Sequence, residues 1–382
     1  MTQTDTGTPP GPPKTPRFRS PRRRAQPHPP RPLPRIPRLP TLALLLSLLF
    51  SLLLACPFLV PNTVGHLGSL LETFLPWLGL AVPLPLLLPL LLGHRRGHRP
   101  TARRRPTPPR SAIAALTLLL PTLAWLAQFG GLLLPTTTNS APTPTTVTAT
   151  QHNISDENPD PAGTAHALTA SHADLIALEE LTPSALPAVT TALTPDYPHH
   201  ATHGTVGLWS KYPLSDIRPV DIRPTDLRPT DLRPPGPGTA DPGPSTADWN
   251  RALRATAATP LGPVAVYVAH LPSLRLGATG FGSARRDESA ALLGSLLAAE
   301  PADRVILLGD LNSTTDDRGL APVLAARMNT PSSGGFAFSW PASFPLARID
   351  QILARSGTVT HIRTLPATRS DHLPVSAVIR FG

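Results

Sequence analysis

Residues 305–312 read Val-Ile-Leu-Leu-Gly-Asp-Leu-Asn, an apolar run that ends in a glycine, a carboxylate and an amide. The run predicts a buried β-strand over 305–308, which the chain leaves at the glycine. A helix is predicted just before it, over 285–299, because apolar residues recur there at helical spacing. A helix followed by a buried strand with polar groups at its end is typical of an α/β domain with its site at a sheet edge.

The same alternation of short strands and helices extends over residues 147–382. A second helix is predicted over 161–172. The other predicted strands are 147–154, 174–178, 205–209, 264–270, 348–354 and 375–380. Because strands and helices do not alternate strictly, the order favours a layered α/β sandwich over a purely parallel sheet.

Polar and ionisable residues stand at the ends of several predicted strands. These are Asn153, Glu179, Glu180, His270, Asp310 and Asn312, with Asp350 near the start of one strand and Ser370-Asp371-His372 just before the last. Groups at strand ends converge on one rim of a sheet, where oxygen ligands can hold a hard cation.

In order along the chain, the motifs Asn, Ala-Leu-Glu-Glu, His-Leu, Gly-Asp-Leu-Asn, Arg-Ile-Asp and Ser-Asp-His resemble those of the endonuclease/exonuclease/phosphatase superfamily. That superfamily includes DNase I-like nucleases, inositol-phosphate phosphatases and neutral sphingomyelinases. The resemblance implies a four-layer α/β sandwich, with two β-sheets flanked by helices. It also implies a phosphoric ester hydrolase that uses Mg²⁺, or else Mn²⁺ or Ca²⁺.

The resemblance further implies the metal ligands. Glu180 is expected to bind the divalent metal, helped by Asn153 and Asp371. Relatives place the first Asn directly after an alternating strand, whereas here His152 intervenes. His152 and Asn158 are therefore alternatives to Asn153.

The resemblance also assigns the catalytic groups. Asp310 is expected to activate or position the attacking water, and Asn312 to orient it and contact the phosphate. His372 would hold a phosphoryl oxygen or share a proton with the transition state, Asp350 would fix its tautomer, and His270 would contact the phosphate. These roles suit the chemistry, because phosphoester cleavage develops negative charge on oxygen and a carboxylate can serve as base for water.

Arginines complete the predicted site. Arg254 is expected to contact the substrate phosphate, with Arg251 as a close alternative. Arg285 and Arg286 are expected to be surface residues at the start of the helix over 285–299.

Three uncharged, leucine-rich stretches predict three transmembrane helices before the sandwich, at about 41–60, 73–92 and 112–134. Each has about the 20 residues needed to cross a bilayer. Residues 1–40 are predicted to be a disordered, basic, Pro/Arg-rich tail, and residues 135–146 a Pro/Thr linker. Together with residues 156–162 and 177–181, this arrangement resembles a membrane-anchored actinobacterial branch of the superfamily, some of whose members are associated with teicoplanin resistance.

Arginine placement predicts the orientation. Residues 1–40 and 94–110 are strongly basic, whereas 61–72 contain no Lys or Arg and 135–150 no charge. By the positive-inside rule, the protein is a multi-pass protein of the cell membrane, with a cytoplasmic N-terminus and an extracytoplasmic catalytic domain. A cleaved signal peptide ending at Cys56 is the rival interpretation.

The net charge of +10 has the same origin. Residues 1–110 contain 16 basic and two acidic residues, so residues 111–382 are mildly acidic, with Lys211 as their only lysine. Domains that bind nucleic acid non-specifically usually offer Lys and Arg to the phosphates.

The sequence contains a single cysteine, Cys56. A disulfide framework and a thiolate zinc cluster are therefore excluded, because both need several cysteines.

A pentad is repeated four times over residues 216–235, beginning Asp-Ile-Arg-Pro or Asp-Leu-Arg-Pro. A proline every fifth residue excludes a helix or a central strand, so 216–245 are predicted to be a low-complexity surface insert. The insert is interpreted as plain sequence expansion, with a partner-binding arm as the alternative.

The charge distribution and the tether favour a membrane lipid phosphate as substrate, such as a polyprenyl diphosphate or a phospholipid. A surface-anchored nuclease acting on extracellular DNA is the second choice. A non-catalytic scaffold that binds phosphorylated ligands is the third.

Overall fold

Helices occupy the two stretches of the chain that precede the sheets. The computed structural model describes residues 39–81, 110–134, 146–227, 249–278 and 280–382, together with residues 2, 7 and 11. Within the first two ranges lie α1 (Leu39–Ala55), α2 (Leu67–Thr73), α3 (Leu78–Ala81) and α4 (Arg110–Leu133). Helix α1 packs along α4, where the Ser47 hydroxyl donates to the Thr117 carbonyl at 2.7 Å.

Two mixed β-sheets follow. The first has six strands in the order β12-β13-β1-β2-β4-β3. Its strands are β1 (Thr146–Asn153), β2 (Leu175–Glu179), β3 (His199–His203), β4 (Val206–Ser210), β12 (Gly357–Thr364) and β13 (Val375–Phe381). The β1–β2 pair is parallel and the other pairs are antiparallel.

The second sheet has five strands in the order β11-β10-β7-β6-β5, and only its β10–β7 pair is parallel. Its strands are β5 (Leu214–Pro219), β6 (Ala252–Thr259), β7 (Gly262–Ala269), β10 (Val305–Asp310) and β11 (Asp350–Arg355). A short hairpin of β8 (Leu276–Gly277) and β9 (Gly280–Phe281) lies outside both sheets.

The apolar residues divide into layers because side chains alternate along each strand. One set, including Val147, Val266 and Ile306, fills the space between the two sheets. Helices α5 (Pro161–Thr169) and α6 (Leu186–Leu193) cover the outer face of the first sheet, and α7 (Ala284–Ala299) and α8 (Ala321–Ala325) cover the second. The prediction of two β-sheets flanked by helices is confirmed.

The predicted membrane segments take a different form. Within the described residues, no helix combines the length and apolar character needed to cross a membrane. The predicted span 41–60 overlaps α1, which begins at Leu39 and ends at Ala55 because Pro57 starts a separate 3₁₀ turn. The span 73–92 is not one helix where it is described, since α2 ends at Thr73 and a 3₁₀ turn containing Pro76 precedes α3.

Other predictions fall outside the described residues. These are most of the tail 1–40, the rest of the second span over 82–92, and the linker up to residue 145. The third predicted span, 112–134, coincides with α4 almost throughout.

The start of the repeat belongs to the fold, which corrects the predicted insert boundary at 216. Strand β5 includes Asp216–Pro219 and pairs with β6 at the edge of the second sheet, where a proline is tolerated. Ile222 is fully buried in the core beneath α7. Residues 228–248 lie outside the described part of the chain.

Candidate active site

Two strand pairings bring the predicted residues to one rim of the sandwich. The antiparallel register of β10 and β11 sets Asp310 opposite Asp350. The parallel register of β1 and β2 sets Asn153 opposite Glu179. Because β1 packs against β10 and β11 across the sandwich, the two pairs meet.

Asp310 lies at the centre of this rim and is buried. Its Oδ2 accepts a hydrogen bond from Asn153 Nδ2 at 3.1 Å, and its Oδ1 accepts one from the Asn312 backbone N–H at 2.9 Å. Burial and the nearby charge of Asp350 raise the pKa of Asp310 to about 7, although the His372 charge and both hydrogen bonds oppose the rise. A carboxylate with this pKa suits general-base chemistry near neutral pH.

His372 and Asp350 form a buried pair beside Asp310. His372 Nδ1 lies 2.8 Å from Asp350 Oδ2, and Gln151 Nε2 donates to Asp350 Oδ1 at 3.0 Å. Burial would lower the pKa of His372, but the charges of Asp350 and Asp310 raise it to about 10. His372 is therefore an imidazolium at neutral pH, with Nδ1 donating to Asp350 and Nε2 3.8 Å from Asp310 Oδ2.

His270 flanks Asp310 in the opposite protonation state. Its Nε2 lies 3.7 Å from Asp310 Oδ2 and 3.8 Å from Glu180 Oε1. Burial, followed by the charges of Arg251 and His372, holds the pKa of His270 well below its usual value. A neutral and a cationic histidine thus lie on either side of one carboxylate.

Residues with positive φ angles occur in both the Ala-Leu-Glu-Glu and the Gly-Asp-Leu-Asn motifs. Glu180 and Asn312 adopt φ values of 58° and 46°, which are rare for non-glycine residues and concentrate at functional sites. Gly309 has φ of 151°, and a Cβ added there would lie 1.9 Å from the Ala269 carbonyl oxygen. The glycine of Gly-Asp-Leu-Asn is therefore required by close backbone packing.

The donor set fits a hard divalent cation. Glu180, Asp310 and Asp371 line one cavity, and Asn153 lies against Asp310. Carboxylate and amide oxygens are the ligands that Mg²⁺ prefers. Ligand atoms of Asp310, Asp350 and His372 also lie within 4.8 Å of one another. Glu180 and Asp371 add carboxylate oxygens on the cavity side of Asp310, so this side offers the all-oxygen donor set that a hard cation prefers.

The structure separates Asn153 from its two alternatives. His152 is fully buried, bonds Thr368 Oγ1 through Nε2 at 2.9 Å, and has its pKa lowered to about 3 by burial. Asn158 donates to the Ile154 carbonyl and to Thr164 Oγ1. Of the three, only Asn153 contacts Asp310.

Arg254, which was predicted to contact the substrate phosphate, lies apart from the other predicted site residues. Arg254 Nε and Nη2 each lie 3.2 Å from the buried carboxylate of Glu300, beneath α7. Its neighbours Leu253 and Ala255 face the space between the sheets, so alternation along β6 directs Arg254 to the opposite face. It lines a different cavity from the catalytic groups.

Arg251 is the arginine at the rim. It lies just before β6, and its backbone carbonyl accepts from the His270 N–H at 2.8 Å. Burial lowers the pKa of Arg251, while the charges of Glu180, Asp310 and Asp156 favour its cationic form. Arg251 lies next to the start of β6 and Arg254 lies within it, but β6 has no strong apolar pattern that would distinguish the two positions in the sequence.

Sequence reasoning missed a buried polar pair beneath the site. Gln151 Nε2 donates to Glu179 Oε2 at 2.5 Å as well as to Asp350. Burial and the charges of Asp350 and Asp310 raise the pKa of Glu179 well above its usual value. Glu179 is thus held by Gln151 in the interior, whereas the neighbouring Glu180 lines the cavity.

Several solved structures resemble this chain at low sequence identity. One is an endonuclease/exonuclease/phosphatase from Beutenbergia cavernae, with 18% identity and a TM-score of 0.48, covering 62% of this chain and 72% of its own. A sphingomyelinase C from Streptomyces griseocarneus has 18% identity and a TM-score of 0.44, covering 62% and 99%. A Staphylococcus aureus beta toxin with bound magnesium ions has 14% identity and a TM-score of 0.45, also covering 62% and 99%.

No curated protein matches the chain in sequence. The model of the Endonuclease/Exonuclease/phosphatase family matches residues 150–372, which include every candidate catalytic residue described above. The chain belongs to the endonuclease/exonuclease/phosphatase family and is a metal-dependent phosphoric ester hydrolase.

Proposed function

We propose that the protein is a membrane-anchored, extracytoplasmic phosphoesterase that hydrolyses a membrane lipid phosphate, such as a polyprenyl diphosphate or a phospholipid. The observation that carries the hydrolytic part is the buried Asp310 carboxylate between neutral His270 and cationic His372. The membrane part rests on the leucine-rich N-terminal segments and their exposed surface.

Each group has a defined part in the proposed reaction. A bound Mg²⁺, held by Glu180 with Asn153 and Asp371, would supply charge neutralisation at the phosphate. Asp310 accepts the proton of the attacking water. His372 Nε2–H donates to a phosphoryl oxygen or to the leaving oxygen, while Asp350 keeps Nδ1 protonated.

The outer surface of the helix pair supports anchoring. On α1, Leu45, Leu48, Leu49 and Leu52 follow helical spacing and are between 45% and 56% exposed. On α4, Leu119, Leu123 and Leu126 are exposed as well. Contiguous exposed apolar surface of this kind marks contact with a membrane or another protein.

The charge pattern supports the proposed side of the membrane and the substrate class. Basic flanks at 1–40 and 94–110 favour a cytoplasmic location for these segments, which leaves the catalytic domain outside. The acidic balance of residues 111–382 disfavours a polyanionic nucleic acid as the main substrate. The motifs at 156–162 and 177–181 favour the membrane-anchored actinobacterial branch.

A substrate screen with the full chain in lipid nanodiscs tests this proposal. Polyprenyl diphosphate, phospholipid and plasmid DNA are each incubated with the protein and Mg²⁺, with and without EDTA, and released product is quantified. We expect metal-dependent turnover of a lipid phosphate. Faster turnover of DNA with intact lipids would replace the proposal with a nuclease, and metal binding without any turnover would replace it with a scaffold.

Topology has its own test. Alkaline phosphatase fused after Gly382 should be active in cells, and a fluorescent protein fused there should not fluoresce if it is exported unfolded. The opposite pair of results would place the catalytic domain in the cytoplasm.

A further inference from the structure

The catalytic groups form only one side of the active-site cavity. The cavity has a volume of about 440 Å³, within the usual range for small-molecule sites. Its other side is largely apolar, formed by Leu70, Phe74, Leu274, Phe281, Trp340 and Ile349. A molecule that fills it must therefore be polar at one end and apolar at the other.

Two of these apolar residues come from the N-terminal segment, outside the part of the chain that matches the family. Leu70 lies in α2, and Phe74 follows directly after that helix. Both are half-buried. The segment expected to be only a membrane anchor thus reaches the catalytic cavity.

A salt bridge fixes α2 against the catalytic domain. Arg318 Nη2 lies 2.7 Å from Glu72 Oε1, and Arg318 Nε donates to Glu72 Oε2 at 2.8 Å. The same guanidinium donates to the carbonyls of Val60 and Pro57, just before α2. One arginine of the catalytic domain therefore holds both ends of the turn that leads into α2.

A second, fully buried connection runs from α2 to the active site. Ser69 Oγ donates to Asp317 Oδ1 at 2.6 Å, and Arg286 Nη2 lies 2.7 Å from Asp317 Oδ2. Arg286 Nη1 then donates to the Asn312 carbonyl at 2.9 Å. This network corrects the expectation that Arg286 is a surface residue, since its side chain is fully buried.

Trp77 extends the contact beyond α2. Its indole N–H donates to the Leu346 carbonyl at 2.6 Å, and its ring stacks on Phe338 with centroids 5.3 Å apart. The wall that carries Leu70 and Phe74 is thus attached on both sides.

We propose that α2 and Phe74 form the wall of a hydrocarbon-chain subsite, in which the hydrocarbon chain of a lipid phosphate lies while its phosphate lies in the cavity beside Asp310 and His372. The inference rests on the proposed phosphoesterase function and adds the means of substrate selection. Leu70 and Phe74 are the specificity-determining residues, and neither contacts the reacting atoms.

The surroundings of the cavity support a hydrocarbon chain as its occupant. Leu276, which lines the cavity, is 74% exposed, and Trp340 is 38% exposed. Phe344 lies four residues beyond Trp340 and is 67% exposed. A chain longer than the cavity could therefore continue along apolar surface without being forced into water.

Chain-length dependence of alkyl phosphate binding tests the subsite. Ethyl, butyl, octyl and dodecyl phosphate are titrated calorimetrically into the full chain in nanodiscs, each below its micelle concentration and corrected with empty nanodiscs. Binding should tighten by up to about fourfold for each buried methylene. The same series should compete with hydrolysis of bis(4-nitrophenyl) phosphate in the same order.

Variants of Leu70 and Phe74 test whether the hydrocarbon chain contacts this wall. Leu70→Ser and Phe74→Ser should flatten the chain-length dependence, and Phe74→Leu, which keeps an apolar side chain and guards against misfolding, should retain most of it. Leu67→Ser is the matched control, because Leu67 lies in the same helix, is 50% exposed and does not line the cavity. It should bind every alkyl phosphate as the wild type does.

The inference is overturned if affinity is independent of chain length, if Leu67→Ser has the same effect as Leu70→Ser, or if an oligonucleotide binds there in place of dodecyl phosphate. Failure of the underlying function gives a different result. In that case bis(4-nitrophenyl) phosphate is not hydrolysed, whereas the calorimetric series still decides whether the chain subsite exists.

Discussion

His372 Nδ1 lies 2.8 Å from Asp350 Oδ2, inside the protein and next to a second carboxylate, Asp310. This contact fixes Nδ1 as the donor to Asp350 and leaves Nε2 facing Asp310. It also makes the protonation of His372 depend on Asp350, which is fully buried and does not line the cavity.

The alkaline limb of the pH–rate profile should report this contact. His372 has its pKa raised to about 10, so activity that needs the imidazolium should persist to high pH and fall as pH approaches that value. Asp350→Asn removes a charge that raises the pKa, so the alkaline limb should move to lower pH. Kinetic profiles and NMR of ¹⁵N-labelled histidine check the shift, and an unchanged limb in Asp350→Asn would contradict the assignment.

The adjacent glutamates provide a matched pair for the metal site. Glu180→Gln should weaken Mg²⁺ binding by about tenfold or more, because a carboxylate at the cavity is lost. Glu179→Gln should leave Mg²⁺ affinity and kcat within about twofold, since Glu179 is bonded to Gln151 and does not line the cavity. Calorimetric titration with Mg²⁺ measures both, and equal losses would contradict the division of roles.

Glu179 should also affect the pH dependence of stability. Its raised pKa means that its contribution is fully present below the unfolded value of about 4.5 and is lost as pH rises towards the folded value. Between pH 4.5 and pH 7, the free energy of unfolding of Glu179→Gln should therefore rise relative to that of the wild type. Urea unfolding at the two pH values measures this, and parallel pH dependences would show that Glu179 is ionised in the folded protein.

Substitutions of Arg251 and Arg254 should have different effects, one on substrate binding and the other on stability. Arg251→Met should raise KM for a phosphoester, because it removes a cation near Glu180 and Asp310. Arg254→Met should lower stability by about 1–3 kcal/mol with little change in KM, because the buried Glu300 loses two 3.2 Å contacts and keeps only the longer ion pair with Arg218. Steady-state kinetics and urea unfolding of both variants provide the comparison, and a KM effect confined to Arg254→Met would restore the original prediction.

The start of helix α7 offers a similar comparison. Arg286→Gln should cost about 3–5 kcal/mol and reduce activity, because Asp317 loses its buried partner and the Asn312 carbonyl loses a donor. Arg285→Gln, whose side chain is 60% exposed beside Asp226, should cost less than about 1 kcal/mol. Similar losses in the two variants would contradict the buried connection between α2 and the active site.

The sequence was sufficient where a local pattern and the site coincide. An apolar run ending in a polar group places that group at a sheet rim, and this logic located Asp310, Asn153 and His270 together. Strand β3, with the sequence His-His-Ala-Thr-His, and the Ala/Thr-rich strand β6 were not predicted, because neither has a strong apolar pattern.

Other features depend on contacts that no local pattern encodes. The direction of Arg254 follows from which face of β6 meets the other sheet, a parity set by strand packing. The hydrogen bonds of Ser69 and Glu72 join residues almost 250 positions apart in sequence. The sequence therefore did not predict that α2 packs against the catalytic domain. Leucine content likewise predicted spans but not the break between α2 and α3.

We infer that Asp310 is the general base for metal-dependent phosphoester hydrolysis in this cavity. Its most direct test is kcat/KM for bis(4-nitrophenyl) phosphate with Mg²⁺, measured for the wild type, Asp310→Asn and the exposed control Asp196→Asn. We predict EDTA-sensitive turnover that falls by about 10³-fold or more in Asp310→Asn and stays at the wild-type level in Asp196→Asn. Activity of Asp310→Asn within tenfold of wild type, or turnover indifferent to EDTA, would contradict the account.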